Sequence, residues 1–436
     1  MRKRFWQRVV VAVGITVLVG GCGVLGSPGE SSTTSTGKPI SRCGLGTGHK
    51  ATGQPITLGA IVTREPGTDF TATPGIAQAY FNCVNDNGGI NGRPIRYIVE
   101  EERQTQAPLV AALARKLIEQ DKVLALVGSM SLIDCPVNHA YYEQKGFNVI
   151  VAGVPFDCFS TSNIAGTNMG PYYSTLGATQ YLIRQGVKSL ATAGADVPGG
   201  DHDISGVQSL ARQNNITFKG AFLVKVPVTD AAGAAARVVS AAGDGGGVVI
   251  SFTTAEGLKI LEAAEQLGLV DKVKWAWDTP GNDTSVVQAL GPAWNGKLGV
   301  NAEQNLVDST GPDNLLYQKI TAEYAPSIPL SSFGQMGFLA AAIITRTLLQ
   351  LPTDQLTQTG VNTAIRQIRD FRTDLLCRPW YFGNLNAHVP VNVDWTVVPE
   401  DHVFLQKEGC FGIAALPTDP VAGIRQAEQQ QHLNGP

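Results

Sequence analysis

Beyond residue 55 the chain alternates two hydrophobic rhythms. Short β-branched runs at Thr57–Thr63, Ile95–Glu101, Val123–Gly128, Asn148–Ala152, Ser189–Ala193, Gly246–Phe252 and Val273–Asp278 read as strands buried on both faces. Between them apolar residues return at every third or fourth position, in Gly75–Asn87, Pro108–Gln120, Asp203–Gln213, Asp230–Ala242 and Ala255–Leu267, which predicts amphipathic helices. Strand–helix alternation predicts an α/β fold with parallel sheets covered by helices on both faces. The series ends near Ala152 and starts again near Lys188, so two similar lobes are expected. Further helices are predicted near Asn314–Tyr324, Gln335–Leu351 and Val361–Asp370, and the polar tail after Pro417 reads as helix or coil.

The N-terminus departs from this rhythm. Arg2, Lys3, Arg4 and Arg8 precede an apolar run from Val9 to Val19, interrupted only by Gly14 and Thr16. A membrane span needs about 20 apolar residues, so this shorter run predicts a secretory signal over residues 1–21. Val19-Gly20-Gly21-Cys22 resembles a bacterial lipobox, which implies acylation of Cys22 and a lipid anchor on the extracytoplasmic face of the cell membrane. Residues 23–38 are rich in Gly, Ser and Thr and predict a flexible leash. The other long apolar stretch, Met336–Leu351, is broken by Thr345, Arg346 and Thr347 and is not expected to span a membrane.

Charge narrows the function classes. The signal holds four of the 33 basic residues and none of the 36 acidic ones, so the chain from Cys22 onward has a formal charge of −7. Such a chain is a poor partner for nucleic acid. Setting Cys22 aside leaves six cysteines, an even set that predicts disulfides in an exported protein. Topology pairs them. Cys43 precedes the first strand and Cys83 ends the first helix, at one end of the first lobe. Cys135 and Cys158 follow the third and fourth strands at the carboxyl edge, and Cys377 and Cys410 remain. No CxxC and no histidine at ligand spacing points to a metal site.

Catalytic and cofactor motifs are not evident. Gly44-Leu45-Gly46-Thr47-Gly48 precedes the first strand, whereas a dinucleotide turn must follow one. Gly291–Leu298 approaches a phosphate loop but lacks the Ser or Thr that holds magnesium. The six histidines are scattered, and Glu100-Glu101-Glu102 reads as a solvated strand end. No enzyme activity and no cofactor is expected.

One segment is specific. Asn87-Gly88-Gly89-Ile90-Asn91-Gly92-Arg93-Pro94-Ile95 leaves a helix and enters a strand. It resembles a turn of the type 1 periplasmic binding proteins of the branched-chain amino-acid transport class. Pro108–Val123, Val127-Gly128-Ser129, Tyr181-Leu182-Ile183, Leu261–Leu269 and Phe333–Ala342 are similar to further family segments in the same order. The resemblance covers about residues 55–415 and implies two Rossmann-like three-layer lobes joined by three hinge crossovers. It divides the chain into a tether at 22–54, lobe one at 55–172, lobe two at 173–300, a return to lobe one at 301–375, a lobe-two part at 376–415 and a tail at 416–436.

The resemblance also implies function: a monomeric solute-binding lipoprotein that captures an amino acid or related metabolite for ABC permease and ATPase subunits. A sensing lipoprotein of the same fold is the alternative. Such ligands lie outside the carboxyl ends of strands. By position, the first wall is Ser129, Ser131, Ala152, Val154 and Phe156, and the second is Asp196, Phe252, Thr253 and Asp278, with Trp277 beside it. The hydroxyl cluster expected after strand three is thinned to Ser129-Met130-Ser131-Leu132, and Ala152–Phe156 replaces a hydroxyl-bearing segment after strand four. Phe156, Phe252 and Trp277 therefore read either as the wall of an apolar or aromatic pocket or as core side chains, and Asp278 either as the partner of a ligand amine or as the cap of the Thr279-Pro280 turn.

Overall fold

The computed structural model describes residues 42–414, 416 and 423–433; the signal, Cys22 and the leash at 23–38 lie outside them. The apolar runs form two sheets. In the first lobe β1 (Ile56–Glu65) turns back through a two-residue β2 (Thr68–Asp69), then crosses α1 (Ala72–Asp86) to β3 (Ile95–Glu102). The strand β1 runs parallel to β3 from the Ile56–Ile95 pair to the Thr63–Glu102 pair. Next come α2 (Ala107–Arg115), which continues as a π-turn over Lys116–Gln120, then β4 (Val127–Ser129), α3 (Asp134–Gln144), β5 (Val149–Val151) and β6 (Ile164–Gly166). Bridges Gly59–Leu126 and Val62–Met130 join β4 to β1, completing a parallel sheet in the order β3-β1-β4-β5-β6.

The second lobe repeats the plan. Its elements are α4 (Gly170–Arg184), β7 (Ser189–Ala195), α5 (Gly200–Gln213), β8 (Thr217–Val224), α6 (Ala231–Ala242), β9 (Gly247–Ser251), α7 (Thr254–Gln266), β10 (Lys274–Trp277), α8 (Thr284–Ala289) and β11 (Leu298–Ala302). The chain then returns to the first lobe with α9 (Pro312–Tyr324), α10 (Ser332–Gln350) and α11 (Gln358–Arg366). It re-enters the second sheet as an antiparallel hairpin, β12 (Val393–Glu400) and β13 (Val403–Gly412), and a last helix, α12 (Ile424–Gln430), lies in the tail. The second sheet runs β13-β12-β11-β10-β9-β7-β8. Three crossovers therefore link the lobes, at residues 167–170, 303–311 and 389–393.

Five longer strands were not expected from the pattern: β6, β8, β11, β12 and β13. The strand β8 sits at an edge with alternating exposure and carries Lys219 and Gly220, while β12 contains Asp394 and Pro399. The last crossover also comes later than residue 376. Leu376, Trp380, Phe382, Val389 and Val391 belong to the first lobe's core, and the Trp380 indole donates to the Gly166 carbonyl at 2.7 Å. Only at Val393 does the chain reach the second sheet.

Helix α10 is long and apolar enough to cross a membrane, yet it is mostly buried inside the protein. It packs along α1, where Thr73 Oγ1 donates to the Phe333 carbonyl at 3.0 Å. A Cβ on Gly337 would run into the Thr73 carbonyl oxygen. Gly337→Ala gains about 1 kcal/mol of helix propensity and loses up to about 3 kcal/mol by forcing two helices apart. A net loss of about 2 kcal/mol is expected in urea unfolding; unchanged stability would show that the helices are free to move.

Disulfides join Cys43 to Cys83, Cys135 to Cys158 and Cys377 to Cys410, the pairs that topology predicts. The Glu100-Glu101-Glu102 run is not uniformly solvated. Glu100 pairs with Lys116 and Glu101 with Arg64 and Arg103, but Glu102 is 2% exposed. Its place opposite Thr63 lets it accept hydrogen bonds from the Thr63 hydroxyl, at 2.8 Å, and from Ser131.

Candidate functional site

Between the lobes lies a cavity enclosing about 660 Å³ of space free of atoms, part of it open to solvent. It is walled where both parallel sheets end at their carboxyl edges, the position expected for an α/β ligand crevice. The first lobe presents Thr68 from β2 and Phe70 just after it, Met130 and Leu132 after β4, Gly153 and Val154 after β5, and Phe333 and Met336 from α10. The second presents Ala195 at the end of β7 and Val197 after it, Asp203 from α5, Ser251 at the end of β9 with Phe252 and Thr253 after it, Asp278–Pro280 after β10 and Glu303 after β11. The first crossover and the start of α4 add Asn168, Gly170 and Ser174.

Four residues expected at the site stand there: Val154, Phe252, Thr253 and Asp278. Six do not. Ser129 Oγ accepts the Ile61 amide at 3.0 Å. Ser131 Oγ donates to Glu102 and accepts the Ile133 and Asp134 amides at 3.2 and 3.0 Å, at the start of α3. Both serines therefore serve the first lobe's interior. Ala152 packs behind the wall with Phe70 and Val154. Trp277 is fully buried in the second lobe's core, its indole donating to the Phe252 carbonyl at 3.2 Å. Asp196 is exposed and does not line the cavity, although its neighbours Ala195 and Val197 do. Phe156 lies outside the cavity in an adjoining groove, 4.8 Å from the His202 ring and 5.7 Å from Tyr172.

The first wall is apolar where hydroxyls were expected. Residues along a strand alternate faces, and here the odd-numbered serines point inward while Met130 and Leu132 face the cavity. A bulge sits at this point: the β4–β5 register shifts between Val127 and Ser129, and Gly128 has φ 75°. A bulge re-aims the side chains that follow it.

The floor is acidic. Asp278 is 1% exposed; its Oδ2 accepts the Ser251 hydroxyl at 2.7 Å, and its Oδ1 has no partner. Burial pushes its carboxyl well above the usual range against that hydrogen bond, and the charges of Asp203 and Glu303 push the same way. Asp203 is raised by burial and by Asp201. Glu303 accepts the Thr279 hydroxyl and the Met169 amide, each at 2.7 Å, so it ties the first crossover to the end of β11. Burial lifts it to about 7 despite those bonds. Asp394, at the third crossover, is raised by burial and then by Glu303. Among the described residues no Lys, Arg or His lines the cavity. Among the described residues no group of three or more His, Cys, Asp or Glu is placed to hold a metal ion.

The lobes also touch at the rim. The turn between β1 and β2 reaches the second lobe, where Thr253 Oγ1 donates to the Gly67 carbonyl at 3.3 Å. A Cβ on Gly67 would come within 2.9 Å of the Pro227 nitrogen, so the two backbones meet almost directly.

Residues 55–398 match a family model described as periplasmic binding protein. No curated protein matches the chain. Among solved structures, it is similar to a branched-chain amino-acid ABC transporter protein from Thermus thermophilus with bound valine, at 16% identity and TM-score 0.74, over 83% of this chain and 97% of that one. A fatty acid ABC transporter substrate-binding protein from Thermomonospora curvata is similar at 16% identity and TM-score 0.70, over 84% and 95%. A solute-binding protein from R. palustris in complex with benzoate is similar at 17% identity and TM-score 0.67, over 83% and 98%.

Proposed function

The chain belongs to the periplasmic binding protein family, and from that premise we propose that it captures a small solute between its lobes for an ABC importer. The observation that carries this reading is the cavity walled by the carboxyl ends of both sheets. Closure of two lobes about hinge crossovers buries a ligand and excludes water. The chain does no chemistry of its own; permease and ATPase subunits drive transport. It acts as a monomer on the extracytoplasmic face, held by a lipid on Cys22. The similar structures carry solutes as different as valine and benzoate, so the ligand class must come from this chain's own walls. Met130, Leu132, Val154 and Phe333 favour an apolar body. The pattern of serines that would bind an α-carboxylate is turned inward, which argues against an ordinary α-amino acid.

Isothermal titration against a panel of amino acids, organic acids, amines and alcohols tests capture. At least one solute is expected to bind and to raise the melting temperature by mass action. Silence across the panel, with no thermal stabilisation, would overturn the reading. In cells, Cys22→Ala should release the chain from the membrane fraction; retention there would remove the lipid anchor from the account.

A further inference from the structure

The cavity has an apolar wall on one side and two under-partnered carboxyls on the other. Asp278 is 1% exposed with Oδ1 unpaired, and Asp203, 8% exposed, faces the same space from α5. A buried carboxylate is costly unless a cation or several donors compensate it. Among the described residues the lining supplies Asp278 with one hydroxyl, from Ser251, and no cation. His202, beside Asp203 in sequence, stacks on the Tyr172 ring at 4.6 Å, outside the cavity lining.

Several of the remaining polar groups are already engaged within the protein. Thr279 Oγ1 is engaged with Glu303 and Ser174, and Thr253 Oγ1 donates to Gly67. The Gly153 amide donates to Asn168 Oδ1 at 2.7 Å, and Asn168 Nδ2 returns a bond to the Gly153 carbonyl at 2.8 Å. A solute carboxylate entering this space would meet three carboxyl groups, Asp203, Asp278 and Glu303, and no lining cation among the described residues, an arrangement that disfavours an anion.

We propose that the cavity selects an organic cation: a protonated amine on a compact apolar body, without a carboxylate, its nitrogen seated between Asp203 and Asp278. The body lies against Phe70, Met130, Leu132, Val154, Phe252 and Phe333. The ammonium supplies the charge that the protein withholds, and its three N–H donors suit Asp278 Oδ1 and the Asp203 carboxylate. The inference rests on the reading of the chain as a solute-capture protein and adds the ligand's charge to it.

Two matched series test it by isothermal titration of the chain. One is benzylamine, benzyl alcohol, benzoate and phenylalanine; the other is 3-methylbutylamine, 3-methylbutanol, 3-methylbutanoate and leucine. Within each series the amine is expected to bind at least tenfold more tightly than its three partners. Asp278→Asn and Asp203→Asn keep the side-chain shape and should each weaken amine binding at least tenfold. Neither should lower the melting temperature, since each removes a buried acid. Tighter binding of a carboxylate, amino acid or alcohol would overturn the cation and leave solute capture intact. Unchanged amine affinity in both variants, or no amine binding at all, would overturn the cation too. Silence of every compound in a wide panel would overturn capture itself.

Discussion

Raising the pH from about 5 to about 8 is expected to destabilise this chain, by about 3 kcal/mol through Glu303 alone. Its carboxyl titrates at about 7 in the folded protein against 4.5 ordinarily, and each unit is worth about 1.4 kcal/mol. Between those two values the folded state binds more protons than the unfolded one, so stability falls as pH rises. The contribution is fully present below about 4.5 and is lost as pH passes through about 7. Asp203, Asp278 and Asp394 are raised by burial as well and act with the same sign. Urea midpoints across the pH range measure the effect. Glu303→Gln should flatten much of the slope and be more stable than the parent at high pH. Its amide oxygen can accept the Met169 amide, and its NH₂ can donate to Thr279 Oγ1, which already leans on the Asn301 carbonyl at 3.2 Å. A parent curve that rises through this window would mean that Glu303 is ionised and well compensated in the fold.

Removing the Cys135–Cys158 bond by paired alanine substitution is expected to destabilise the chain by about 3 kcal/mol. The two cysteines are 23 residues apart. A link across that span removes loop-closure entropy from the unfolded chain, and both side chains are buried in the first lobe's core. The bond ties the first turn of α3 to the 3₁₀ turn Phe156–Cys158, and the stretch between β5 and that turn carries Gly153 and Val154 of the cavity wall. Solute affinity should therefore fall along with stability, because the wall must be ordered on binding. Denaturant unfolding and titration of the same variant measure both. A stability loss below about 1 kcal/mol would show that packing alone holds this corner.

The long periodic segments of the fold were legible because their burial is two-sided. Runs such as Val248–Ile250 and Trp275–Trp277 are fully buried strands and carry no polar face to confuse the period. The segments that escaped have one exposed face or an internal polar group. The strand β8 alternates exposed and half-buried positions, and β12 carries Asp394 within the sheet, where burial rather than composition decides its role. The candidate site was partly legible for a related reason. Val154, Phe252, Thr253 and Asp278 follow directly from where strands end. Ser129 and Ser131 were misplaced because a strand's parity reverses with one residue, and the bulge at Gly128 is a backbone event that residue types do not announce. Asp203 belongs to the first turns of α5, where an acidic residue commonly complements the helix dipole, so nothing in its sequence context marks it as facing a cavity. Glu303 follows β11, a strand the apolar pattern did not reveal.

The contact between the Gly67 turn and the second lobe bears on time rather than on grip. Parting the lobes at this rim breaks the Thr253–Gly67 hydrogen bond and withdraws the turn from Pro227. The proposed capture therefore has a rate as well as an affinity: the turn adds a step to opening, while the walls within bear on which occupant is kept.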